Sequence, residues 1–513
     1  MTAVGRSVLS GILVTNWDSF GGSVVGRQNM LGQDFGGHMS KKEHTTLERR
    51  LTSGQVAMIG LSGALGTGLF LGSGSVIALG GPATVISYVL AGLCALSIVW
   101  ALAEMVTVHP VPGGVGRVAG SYLGPFGGYL THWNFAIEML IAVGAEVTAS
   151  ATYLHFWFPN LHLGIGTILC SLFVIGLNMA TVRLYGTSEY WFSMIKVTAI
   201  VVFILLGLYL IFFGSSADHA TGFGNLTTDG GFFATGFGGV LAAACMAVFS
   251  FGGIENVSIG AAESEHPERD VPRAAHTMIW RLLIFYVLAI LVVLALQPWT
   301  ETAQGGGTVN ESPFVRVLEM TGVPAAAHIM NAILLVAALS AANGCLYASS
   351  RMIHSLGEQR MAPRFTARTS THGAPRGAVL IAAAGMAIAS ILALTSPDKA
   401  FMYLYGCATV GILVTWIMVM ITHLKFRRDR KQAGLGIPKA HLLGAPVVNY
   451  LIIAVSIAIF IALRWLLPPV WTAGIPYIIL LCLSYLLVRN RHSGIPRGDL
   501  LGQSVQQEKS QKA

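Results

Sequence analysis

Lys196, Glu104, Glu138, Glu146 and Glu255 stand inside long apolar runs of this chain. A basic residue at the centre of a bilayer costs roughly 2.5–3.5 kcal/mol on insertion scales, so an ionisable group there is a functional candidate. Burial also brings such groups toward reversible protonation. Lys196 lies seven residues beyond Glu189, which is expected at a membrane edge; that places the lysine about 10 Å inside, from the ~1.5 Å rise per residue. The plainer reading is a lysine whose long stem snorkels to the surface. Glu138 and Glu146 are eight residues apart and share roughly one helix face at ~3.6 residues per turn. If Glu138 faces a cavity, it favours a cationic substrate side chain or a further proton site; if it faces Lys or Arg, it does neither. Glu255 either meets an ammonium group or carries protons, or else it hydrogen-bonds unwound backbone and holds a break open.

That break is the second of two. Ser62-Gly-Ala-Leu-Gly-Thr-Gly68 interrupts the first apolar run, and Phe249-Ser-Phe-Gly-Gly253 interrupts the sixth. Glycine lowers helix propensity, and irregular backbone at membrane depth is tolerated only where it lines a cavity or is buried in protein. Close helix packing would use glycine as well. Paired interruptions in corresponding spans of two halves, however, point to a transporter with internal repeats. Free N–H groups at a half-helix N-terminus suit a carboxylate. Ser62, Gly63, Ala64, Gly66, Thr67 and Gly68 are the positions that could offer them. Freed carbonyls can take an ammonium, with Phe249, Phe251, Gly252 and Gly253 on the other wall. Phe249 and Phe251 either lid a substrate or fill the core.

The elements that must position these residues are membrane helices. The 513 residues are 54% hydrophobic and 11% charged, with mean hydropathy +0.67, against roughly 25% charged in soluble chains. Twelve spans near the ~20 apolar residues that a bilayer requires fall at about 55–79, 82–108, 127–157, 161–181, 190–213, 235–262, 274–297, 325–350, 377–396, 399–422, 444–466 and 468–488. Apart from Arg316, Lys399, Arg464 and Lys196, every Lys and Arg falls on one side of this topology. The net charge of +8 is therefore a topology signal and not a nucleic-acid footprint. Both termini are expected in the cytoplasm, with the protein multi-pass in the cytoplasmic (inner) membrane.

Residues 1–50 read as a disordered cytoplasmic tail, residues 51–490 as the transporter core, and residues 491–513 as a second cytoplasmic tail. Neither tail shows periodicity. No signal peptide is legible, and Met39 before Ser-Lys-Lys-Glu makes an ordinary alternative start. Cys94, Cys170, Cys245, Cys345, Cys407 and Cys482 each fall singly in apolar segments. With no CxxC pair or His/Cys cluster, no metal or other cofactor is expected.

Several ordered motifs carry a specific resemblance. Ser62-Gly-Ala-Leu-Gly-Thr-Gly-Leu-Phe70 resembles the first-helix signature of the amino-acid permeases of the APC superfamily. Glu255, Ala261-Ala-Glu263, Pro267-Glu268 and Val271-Pro-Arg-Ala274 resemble its sixth helix and following loop. Tyr190 to Val197 and Ala341 to Arg351 resemble its fifth and eighth helices. The match runs from about residue 48 to 490 and is nearest the bacterial amino acid transporter branch. It implies an all-α LeuT-type fold of about twelve helices, a five-plus-five inverted repeat with helices 1 and 6 broken, and proton-coupled uptake of an amino acid. It further implies a gating aromatic near Phe249, and at Lys196 the fifth-helix lysine of sodium-independent, proton-driven transport. Glu146 fits the family pattern; Glu138 departs from it, since related members carry a neutral polar residue there.

The expected function is thus amino-acid:proton symport by a permease, with Lys196, Glu255, Glu138 and Glu146 as the proton-coupling candidates. An exchanger of the same fold is the alternative. A non-transporting sensor would be expected to carry an output domain, and an enzyme would need a catalytic constellation; no HExxH, GxSxG, Walker loop or ligand cluster occurs. Asn343 and Ser340 read as interhelical hydrogen bonds or substrate contacts. Tyr403 and Tyr405 read as an aromatic belt or as gates.

Overall fold

In lipid each backbone polar group must be paired within its own segment, so long apolar runs become helices. The computed structural model describes residues 65–513 apart from 180–181, 214–221, 265, 306–311, 321–324, 371–372, 491–497 and 513. The N-terminal tail and the positions Ser62, Gly63 and Ala64 lie outside the described residues. Among those residues no strand occurs, and ten helices are long and apolar enough to cross a membrane. One of these runs, Ser73–Val108, holds the end of span 1 and all of span 2, reversing at Gly80-Gly81-Pro82. With Leu163–Met179 as a short fourth span, the described helices fill spans 2 to 12 of the twelve expected, and span 1 in part.

The apolar boundaries mark the lipid-facing stretch, but several helices run past it. Span 5 begins at Val182, span 7 at Pro267, and spans 8 and 10 continue to Glu358 and Gln432. Parts of the segments between the expected spans are therefore helix. Glu, Arg, Lys and Gln are good helix formers outside lipid, and Pro267 sits at a helix start, where its missing N–H costs nothing.

Span 3 (Pro125–His155) is the hub: it packs against spans 4, 8, 9, 10 and 12 and the short helix Gly114–Leu123. Its buried face carries Glu138 and Glu146. The C-terminal segment, read as a tail without periodicity, holds the helix Asp499–Lys512. The Gly498 N–H donates to the Ser121 carbonyl at 2.9 Å, and the Arg117 guanidinium reaches Asp499 at 3.2 Å. Leu500 is buried beside them.

Candidate substrate site between two broken helices

Span 6 breaks at Gly252-Gly253. The helix Gly236–Ala247 tightens into a 3-10 turn, Val248–Phe251, and a second turn, Ile254–Asn256, leads into Val257–Glu263. Between the turns Gly253 takes φ 92°, a left-handed conformation that only glycine adopts readily. Glu255 braces the break. One carboxylate oxygen accepts the Gly253 N–H at 2.9 Å and the other accepts Trp416 Nε1–H at 2.5 Å.

Span 1 breaks opposite. Gly66 is extended, Thr67–Phe70 makes a single turn, and the helix resumes at Ser73. The two breaks touch at Gly68: a Cβ there would lie 2.7 Å from the Ser250 Cα and 3.0 Å from the Phe249 ring. The Thr67 N–H does not stand open for a ligand. It donates to both carboxylate oxygens of Glu146, at 3.2 and 3.3 Å.

Gly66, Gly68, Glu138, Glu146, Phe249, Gly252 and Gly253 line one cavity between the breaks, with Met139 and Ile412 among its apolar walls. Its volume is about 20 Å³, room for roughly one water. Phe249 stacks on Tyr405 with ring centroids 4.1 Å apart, and Tyr405 donates to the Met246 carbonyl at 2.6 Å. Tyr405 is thus internal, which corrects the aromatic-belt reading. Phe251, expected on the cavity wall, turns away and packs 4.9 Å from Tyr286 and 6.5 Å from Tyr88. The 3-10 turn separates the directions of the two phenylalanines.

Lys196 is fully buried and cannot be a snorkelling lysine. Glu189 and Glu146 are both within its electrostatic reach. Glu189 was expected at a membrane edge, yet it too is fully buried. It accepts from Ser340 Oγ at 2.5 Å and Asn343 Nδ2 at 2.8 Å, while Asn343 Oδ1 accepts from Asn178 at 2.7 Å. The seven-residue spacing to Lys196, two helical turns, was the sequence signal for that pair.

Glu138 is 1% exposed. One oxygen accepts from Thr415 Oγ1 at 2.5 Å, and Thr415 accepts in turn from Asn134 Nδ2 at 2.9 Å. The other oxygen has no hydrogen-bond partner among the described residues. Glu104 belongs elsewhere. It accepts from His423 at 2.9 Å, from Arg427 at 2.8 and 2.7 Å, and from the Leu442 N–H at 2.8 Å, away from the cavity.

Two broken helices facing each other across a cavity, in an all-helical membrane bundle, define a membrane transporter of small solutes. Comparison with known proteins gives the family. A family model described as amino acid permease matches residues 55–490. The aromatic amino acid transport protein AroP of Escherichia coli (strain K12) is 35% identical over 442 residues, covering 84% of this chain and 95% of AroP. The uncharacterized amino acid permease YtnA of Bacillus subtilis (strain 168) is 37% identical over 392 residues, 76% of this chain and 84% of YtnA. The chain belongs to the amino acid permease family, a group of multi-pass membrane transporters and not of enzymes.

Proposed function

We propose that this permease imports an amino acid across the cytoplasmic membrane together with protons, with both termini in the cytoplasm. The observation that carries the reading is the contact of Glu146 with the Thr67 amide, beside the buried Lys196. It joins an ionisable pair to the backbone group best suited to a substrate carboxylate, because an N–H at a half-helix start favours negative charge. A substrate carboxylate and Glu146 compete for one amide. Binding then displaces Glu146 toward Lys196, and a proton taken or released there registers the displacement. Gly253 and Gly68 allow the two breaks to stay close while one bundle rocks against the other.

The test is uptake of a labelled amino-acid panel into proteoliposomes, with an inward proton gradient present or collapsed. Concentrative uptake that disappears with the gradient is the expected result. Uptake indifferent to the gradient but dependent on internal amino acid replaces symport with exchange.

A further inference from the structure

Glu138, Glu146 and Glu255 lie at the two breaks, Glu189 shares Lys196 with Glu146, and all four are buried. Lys196 is the cation whose charge reaches Glu189 and Glu146. Glu138 is instead within reach of another acid, Glu255, both of whose oxygens already accept hydrogen bonds. Acidic groups are therefore in surplus over cations on the Glu138 side of the cavity among the described residues. A second observation is independent of that surplus. Glu138 lines the cavity, is 1% exposed, and keeps one carboxylate oxygen with no hydrogen-bond partner among the described residues. A buried charge is expensive unless it is paired and hydrogen-bonded. A cavity-lining carboxyl with one oxygen left over is suited to receive a donor.

The spacing says which donor. Glu146 marks the amide that a substrate carboxylate would take, and Glu138 lies eight residues away on span 3, about 12 Å along the axis at ~1.5 Å per residue. An acid two helical turns from the one at that amide is placed for a second cationic group, the end of a long side chain, and not for the α-ammonium beside the carboxylate. Met139, Phe249 and Ile412 supply apolar walls for the methylene stem between the two ends. Thr415, anchored by Asn134, fixes the carboxyl from behind, so its open oxygen is held and not swung by the ligand.

We propose that Glu138 receives the side-chain cation of the substrate, so that the transported amino acid is one with a long basic side chain. This rests on the amino-acid import reading above and names the substrate class of that site. It departs from the aromatic substrates in AroP's name.

The experiment measures labelled lysine, arginine, leucine and phenylalanine uptake by wild type and Glu138→Gln in proteoliposomes, with and without a proton gradient. Thermal shifts of both purified proteins are measured with the same four ligands. The substitution keeps the shape and the Thr415 contact but removes the charge. Wild type should take up lysine or arginine, and Glu138→Gln should lose about thirtyfold or more of that uptake, as for a lost buried charge partner. Leucine uptake should change little, and the gradient dependence of any remaining uptake should persist. Wild-type uptake confined to leucine or phenylalanine overturns the proposal, as does an equal fall for all four. Loss of gradient dependence for every substrate makes Glu138 a proton site instead. If Glu138→Gln does not fold, Glu138→Asp should retain the basic preference with weaker uptake, and preference for the neutral ligands overturns it. If nothing is transported, the import reading has failed; the thermal shifts still decide between basic and neutral ligands.

Discussion

The Thr67 amide donates to both oxygens of Glu146, so a carboxylate from span 3 stands on the half-helix start of span 1. This relationship makes Glu146 a built-in competitor of any substrate carboxylate at that amide. Glutamine at this position would still offer one oxygen to Thr67 but no charge to Lys196. Glu146→Gln should therefore retain counterflow of unlabelled against labelled amino acid. Accumulation driven by a proton gradient should fall by about tenfold or more, the scale of ~1.4 kcal/mol. Parallel counterflow and gradient-driven uptake assays check this, and an equal fall in both would make Glu146 a binding residue only.

Lys196 has no water to fall back on. Removing its charge leaves the buried Glu189 and Glu146 without the cation within their reach, and breaking a buried pair typically costs about 3–5 kcal/mol. Lys196→Met should lower the Tm in detergent and abolish the gradient response. Lys196→Met with Glu189→Gln should recover much of the Tm, because the uncompensated carboxylate goes with the lysine, but not the gradient response. The double-mutant comparison reads the coupling of the two residues directly.

What the sequence made legible followed from hydropathy and glycine. The apolar runs located the described spans because lipid admits little else, and Gly252-Gly253 and Gly66 mark the breaks where expected. Which side chain faces the cavity was not legible. A helix that is hydrophobic all round carries no amphipathic stripe, so nothing separated Phe249, on the wall, from Phe251, in the core. The burial of Glu189 was not legible either, because the polar partners that permit it, Ser340 and Asn343, lie on span 8, far away in sequence. Between the belt and gate readings for Tyr405, sequence could not choose; its hydroxyl lies on the Met246 carbonyl of span 6 and not at an interface.

The approach of the two breaks at Gly68 is backbone against backbone. A methyl group there would lie 2.7 Å from the Ser250 Cα, and no flexible side chain can yield to admit it. Gly68→Ala must push span 1 from span 6 and widen the cavity between them. Uptake should fall about tenfold or more, with the protein still produced and monodisperse, since overpacking commonly costs only about 1–3 kcal/mol of stability. Gly176, beside which a Cβ meets nothing within 4 Å, is the control: Gly176→Ala should leave uptake unchanged.

Glu104 offers the opposite kind of prediction, a large effect on stability through a residue that does not line the cavity. Its carboxylate joins span 2 to the end of span 10 through His423 and Arg427, and to the following loop through the Leu442 N–H. His423 extends the set to span 11 through Asn449 Nδ2 at 2.9 Å. Glu104→Ala takes the carboxylate from His423, Arg427 and the Leu442 N–H together; His423 keeps Asn449 and Arg427 keeps the Leu442 carbonyl at 2.9 Å, but the Leu442 N–H loses its acceptor. The Tm should fall further than for Glu104→Gln, which keeps an oxygen for some of these donors. The rank order of transported amino acids should be the same in both variants as in wild type, because the cluster lies away from the cavity. Thermal unfolding together with the uptake panel checks both halves, and a changed rank order would mean that the clamp governs the shape of the site.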